Sequence, residues 1–178
     1  MDNQKYVIKG DGNMKTTMVQ DLFEEEEDTQ KGKFLTFSLG NESYGIEILY
    51  VTEIVGIQPI TEVPELPKYI KGIINLRGKI IPVMDVRVRF NKPPMDYNDR
   101  TCIVVVDILE ISIGLIVDTV AEVLSIPEQE IVPPPDINKG GKKYIKGIGK
   151  TGSEVTLILD CEKLIDEEEV EVLAKIDN

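Results

Sequence analysis

The chain repeats itself, and that repeat limits what it can fold into more than any other feature of the sequence. A displacement of 75 residues lays Tyr69-Ile70-Lys71-Gly72-Ile73 on Tyr144-Ile145-Lys146-Gly147-Ile148. Without a gap it also carries IIPVMD (80–85) onto VTLILD (155–160), so that Asp85 meets Asp160. A displacement of 69 lays Gly45, Val51 and Glu53 on Gly114, Val120 and Glu122. The second copy is six residues longer between its two blocks, around Pro133-Pro134-Pro135. Self-similarity that keeps the order of its parts means one small unit built twice, here over about 33–90 and 102–165.

The unit is made of strands. FLTFSL, SYGIEI, GKIIPVMDV, CIVVVDIL, ISIGLIV and EVTLILD are short alternating or apolar runs, punctuated by Gly, Pro and Asn, which is the texture of an all-β chain. Strands of this length and spacing build barrels or a sandwich. Between GIINL and KIIPVMDV, Arg77-Gly78 has the size of a tight hairpin turn, which would leave Arg77 at an exposed tip. The second copy reads Gly152-Ser153 there, so the fold needs a turn at that place but not an arginine. Gly72 and Gly147 read first as points of close backbone approach. Near the end, Asp166-Glu167-Glu168-Glu169-Val170 has the form of an acidic capping box, with Ile165 and Val170 as its hydrophobic staple. The pattern predicts a short C-terminal helix, apolar at Val170, Leu173 and Ile176.

With 178 residues, the chain has room for one domain or two small, tightly joined ones. Its net charge of -12 opposes binding to a phosphate backbone. Ten of those twelve charges sit at the ends, in residues 1–32 and 160–178, so the middle is close to neutral. Residues 1–32, ending in Glu24-Glu25-Glu26-Glu27-Asp28, read as a flexible acidic tail. There is no histidine, which removes imidazole as base, triad member or zinc ligand. Cys102 and Cys161 lie in apolar runs and read as buried free thiols, in keeping with a cytoplasmic compartment. No apolar run reaches the ~20 residues of a spanning helix, and the N-terminus has no signal core. Gly149-Lys150-Thr151 lacks the upstream glycine of a phosphate loop, since position 144 is Tyr144. Asp85 and Asp160 each end an apolar strand, where a structural role outweighs acid–base work. Lys139, Lys142, Lys143 and Lys146 cluster around Tyr144, and a basic, aromatic barrel face of that kind can bind single strands; the net charge argues against it. No catalytic group, metal set or cofactor is implied, and a non-catalytic adaptor is what remains.

The stretches YIKGIINLRGKIIPVMDVRVRF (69–90) and FLTFSLGNESYGIEILYVTEIVG (34–56), followed by DRTCIVVVD, ISIGLIVDTVAEVLSIP and YIKGIGK, resemble the CheW-like family of bacterial chemotaxis coupling domains. The resemblance covers about 33–173, with 1–32 as a tail before it and 174–178 as the C-terminal end. It implies an all-β fold of two five-stranded Src-homology-3-like β-barrels with a short C-terminal helix. It also implies a scaffold that is not an enzyme, cytoplasmic and recruited to membrane-associated receptor arrays, without nucleic acid or membrane insertion. The implied partners are the regulatory domain of the histidine kinase CheA and the cytoplasmic tips of methyl-accepting chemoreceptors. By matching motif, Val51, Glu53, Gly72, Asn75, Arg77 and Gly78 would lie in the receptor-facing region, and Val120 on a second-barrel surface that also affects coupling. The kinase's regulatory domain would meet the ends of the barrels, with no residues assigned to that contact. A coupling protein of a chemosensory system with another output, or a small β-barrel binding module, are the alternatives.

Overall fold

Four two-residue turns set the strands of the computed structural model, which describes residues 29–135 and 142–176. The expected acidic tail falls largely outside those residues. Gly40-Asn41 joins β1 (Lys33–Leu39) to β2 (Glu42–Glu47), and Arg77-Gly78 joins β4 (Ile70–Leu76) to β5 (Lys79–Asp85). In the second copy, Leu109-Glu110 joins β6 (Cys102–Ile108) to β7 (Ile111–Val117), and Gly152-Ser153 joins β10 (Ile145–Thr151) to β11 (Glu154–Leu159). The remaining strands are β3 (Val51–Gly56), β8 (Thr119–Ser125) and the two-residue β9 (Ile131–Val132). Two helices complete the unit Gly32–Asn178: α1 (Val86–Arg89) and the C-terminal α2 (Glu167–Ile176).

Two sheets result, one of six strands in the order β8-β1-β2-β11-β10-β9 and one of five in the order β3-β6-β7-β5-β4. The sixth strand departs from the expected pair of five-stranded barrels only slightly. β9 adds a two-residue pairing to Ile148 and Gly149, and its counterpart in the other sheet is a lone bridge from Thr61 to Ile73.

Neither sheet is one sequence copy. The first hairpin of each copy pairs into the sheet of the other, through short parallel ladders: Val83 beside Gly114 in one sheet, Ile158 beside Gly45 in the other. These pairs interconvert under the two sequence displacements, as do Val51 with Val106 and Val120 with Phe37. The same relation holds for the backbone bonds from Asp85 N–H to the Tyr69 carbonyl and from Asp160 N–H to that of Tyr144, both 2.7 Å. The repeat is therefore a pseudo-dyad with exchanged hairpins, and β3 to β7 form a contiguous sheet inserted within the other.

Strands buried on both faces follow from this arrangement. Val104, Val106 and Ile108 of β6 join Leu35, Phe37 and Leu39 of β1 in one large core shared by the two sheets. The alternate residues Ile103 and Val105 turn the other way, onto Ile74, Ile81, Val83 and Ile116, and the six-stranded sheet has a smaller equivalent in Phe34, Ile126 and Ile158. Where the copies meet, Phe37, Tyr44, Phe90 and Tyr144 form a chain of rings 5.2–5.7 Å apart. Arg89 lies beside it, its guanidinium 4.1 Å from the Tyr69 ring centroid and 5.1 Å from that of Tyr144. Those two tyrosines are repeat mates, and Arg89 Nε donates to the carbonyl of its own repeat mate, Leu164, at 2.9 Å.

Several sequence expectations find direct counterparts. The Glu169 carboxylate accepts from Asp166 N–H at 2.9 Å, which is one half of the capping box, and Leu173 of α2 is buried. Asp85 is buried and structural: its carboxylate accepts from Val88 N–H and from the Tyr97 hydroxyl at 2.7 Å, capping α1. Both cysteines are free thiols, Cys161 buried and Cys102 half-buried. A Cβ on Gly72, at φ 145°, would stand 2.1 Å from the Thr61 carbonyl oxygen, and the strand bulges at that point.

A polar tie closes one corner. Arg87 Nε and Nη2 hold both oxygens of Asp118 at 2.7 and 2.5 Å, and Gly40 N–H donates to Asp118 at 2.7 Å. Burial pulls the Asp118 carboxyl upward, but the guanidinium and the amide outweigh it and hold the group below the usual aspartate range. Protonation thus favours the unfolded chain, so the tie stabilises at neutral pH and is lost on acidification through the depressed pKa.

Two outcomes are expected. Gly72→Ala lowers stability by about 3 kcal/mol or prevents folding, because a bonded carbonyl must move; chemical denaturation measures this. Asp118→Asn loses about 2 kcal/mol at pH 7, and its difference from wild type shrinks as the pH falls below the ordinary aspartate value and through the depressed one; denaturant midpoints across an acid series check the trend.

Candidate docking site at one end of the five-stranded sheet

Because β5 and β7 run parallel and each begins just after a hairpin turn, the tips Arg77-Gly78 and Leu109-Glu110 lie at the same end of the five-stranded sheet. The first tip is a left-handed pair, Arg77 at φ 53° and Gly78 at φ 86°, the turn that matches the twist of a hairpin. Asn75 Oδ1 accepts from Gly78 N–H at 2.8 Å and fastens the tip. From it, Arg77 Nη2 donates to both oxygens of Glu53 on β3 at 2.5 Å. The arginine side chain is 73% exposed, so the pair is worth no more than about 1 kcal/mol of stability. What it supplies is a planar donor set held in a fixed direction. A second polar chain runs along the same end: Lys79 Nζ donates to Ser112 Oγ at 2.8 Å, and Ser112 donates to Asp107 at 2.7 Å.

The seven residues singled out in the sequence are not one patch. Glu53, Asn75, Arg77 and Gly78 meet at the tip, and Val51, half-buried on the shared core, begins the strand that carries Glu53. Val120 belongs to the other sheet, opposite Phe37, as the pseudo-dyad mate of Val51. Gly72 lies further along β4, under the Thr61 carbonyl. Its close-approach reading is what the geometry shows. Glu122, the mate of Glu53, meets no arginine, since Gly152-Ser153 replaces the turn; its backbone N–H instead donates to Thr36 Oγ1 at 3.2 Å.

Reactive chemistry is sparse. Burial pushes the Cys161 thiol up to about 12, which leaves it protonated and inert at neutral pH. Among the described residues, no group of Cys, Asp and Glu is placed to hold a metal ion, and no helix is long and apolar enough to cross a membrane. Sequence reasoning missed that Glu53 is the partner of Arg77, because the two stand 24 residues apart on different strands. The available signal was that both charges fall in the copy whose turn carries the unmatched arginine. It also passed over Leu109, because a turn without glycine or asparagine carries no mark of left-handed backbone.

Residues 33–169 match the CheW-like domain. The chain is 39% identical over 147 residues to a chemotaxis protein CheW of Klebsiella aerogenes, covering 82% of this chain and 87% of that one. It is 34% identical to a chemotaxis protein CheW of Bacillus subtilis, covering 76% and 88%. The crystal structure of the scaffolding protein TtCheW from Thermoanaerobacter tengcongensis superposes with a TM-score of 0.72 at 41% identity, over 76% of this chain and 92% of that chain. With fold, length and sequence in agreement, the chain belongs to the CheW-like family of chemotaxis scaffolding proteins, whose members work as non-catalytic couplers.

Proposed function

We propose that this chain holds chemoreceptor cytoplasmic tips and the regulatory domain of the histidine kinase CheA in one assembly, so that receptor state controls kinase activity. It does so from the cytoplasm, recruited to receptor arrays, and without a reaction of its own. The observation that carries the receptor half is the Arg77–Glu53 pair: an exposed, directed polar fixture on a turn that the second copy builds without one. A fixture that the fold does not need and that adds little stability is available for recognition. The kinase half is supported by family membership, and a body with two linked sheets offers separate faces to two partners. Interfaces of modest area with few strong contacts suit reversible assembly.

Arg77→Glu sets a carboxylate against Glu53. It is expected to shift the melting temperature by no more than about 1 kcal/mol would, and to weaken binding of a receptor cytoplasmic fragment at least about tenfold. The exchanged variant Glu53→Arg/Arg77→Glu restores the ion pair but reverses its direction, and is expected to stay weak. Titration of the fragment against all three proteins checks this. Wild-type affinity in the exchanged variant would assign the pair to local structure alone.

A further inference from the structure

The pseudo-dyad supplies an internal control for every turn, and at one end of the five-stranded sheet the control is violated. In the six-stranded sheet both hairpin turns open on glycine, Gly40 at φ 60° and Gly152 at φ 63°, and no other residue of either turn is left-handed. In the five-stranded sheet the mates are Arg77 at φ 53°, and Leu109 and Glu110 at φ 50° and 68°. Three side-chain-bearing residues therefore hold left-handed backbone at one end of one sheet. A bulky residue such as leucine adopts that conformation only under strain. The fold does not ask for it, since Gly40 makes the equivalent turn. Strain kept where the same fold shows an unstrained solution is a mark of use.

What replaces the glycine corner is equally specific. Gly40, Asp118 and Arg87 form the polar tie in one half. Under the repeat displacements the same three places in the other half are Leu109, Leu49 and Glu162. β3 runs antiparallel to β6 with Val51 opposite Val106, so Leu49, two residues before Val51, and Leu109, just past the end of β6, lie at the same end of that pair. Neither leucine is covered: Leu109 is 46% exposed and Leu49 58%. Two exposed leucines in the places of Gly40 and Asp118, at one end of the same strand pair, are an apolar knob rather than scattered surface hydrophobics. Acids stand beside the knob, Glu47 among them paired with Lys146 and Asp160 facing Lys163. Glu110 and Glu162 are exposed, and burial together with the carboxylates of Glu162, Glu47 and Asp160 raises the phenol of Tyr50, next to Leu49.

We propose that Leu109 and Leu49 are the apolar anchor of the docking surface whose polar element is Arg77–Glu53, and that they seat together in an apolar recess flanked by lysine or arginine on the receptor tip. The two tips share one end of one sheet, so the knob continues the surface that carries Arg77. The inference rests on the adaptor reading and adds to it a second, apolar contact for the same partner. Arg77 fixes direction, and the leucines supply the desolvated centre that a polar pair alone lacks.

Leu109→Gly is the discriminating variant, because it removes the knob and relieves the turn together. Its melting temperature is expected to equal or exceed that of wild type, while affinity for a receptor cytoplasmic fragment falls at least about tenfold and affinity for the isolated kinase regulatory domain is unchanged. Leu49→Gln, which leaves the turn untouched, is expected to show the same split. Wild-type binding of the receptor fragment is also expected to weaken as salt rises. Unchanged receptor affinity in Leu109→Gly overturns the inference and leaves the adaptor reading standing, and loss of kinase binding instead overturns the choice of partner. A wild-type protein that binds no receptor fragment overturns the adaptor reading, and the inference with it.

Discussion

Two short parallel ladders, β5 beside β7 and β2 beside β11, hold the rest of the structure in place. Parallel pairing needs a long crossover, and here each ladder joins a strand from one sequence copy to a strand from the other. A copy alone therefore leaves its first hairpin and its last strands without their neighbours. The layer between the sheets draws Leu35, Phe37 and Leu39 from one copy and Val104, Val106 and Ile108 from the other, so neither sheet can shed its partner without opening that core. The consequence is a stiff body that unfolds as a unit. That suits a scaffolding protein.

At the centre of this body Arg89 breaks the symmetry. Its guanidinium lies over the rings of Tyr69 and Tyr144 and donates to the carbonyl of Leu164, the residue in its own place in the other copy. Only one such group fits on a pseudo-dyad, and the sequence accordingly carries arginine in one copy and leucine in the other. Glu169 and Asp166 at the start of α2 approach the same guanidinium at 3.6 and 3.8 Å, so the C-terminal helix is docked against the junction of the copies. A planar cation that stacks on two rings and still donates in its plane makes this possible, where an ammonium does not.

Much of this was legible in the chain. The displacements of 69 and 75 that align the two halves are the same ones that map each strand pairing onto its mate, because the registers are set by the alternation and the turn lengths they preserve. Arg77 at an exposed tip followed from its turn, and Gly72 as a close approach from its place in a strand. The exchange of hairpins was not legible. A parallel ladder has no local sequence mark, and an apolar strand reads alike beside any neighbour. The tip of β6 was equally opaque. Leu109-Glu110 contains neither glycine nor asparagine, so turn chemistry gave no warning that both residues are left-handed. The corner became readable only once Gly40 was known to be its mate.

We place function in what the two halves do not share: an arginine pair and a strained leucine tip at one end of the five-stranded sheet, against glycine turns and a closed ion pair in the other. Amide hydrogen exchange of the protein, alone and saturated with a receptor cytoplasmic fragment, tests that claim most directly. New protection is expected at the turn Ile48–Tyr50, along Val51–Glu53 and around the tips at 75–79 and 107–112, with the turns at Gly40 and Gly152 unchanged. Protection at Gly40 and Gly152, or equal protection of both sheets, would contradict it.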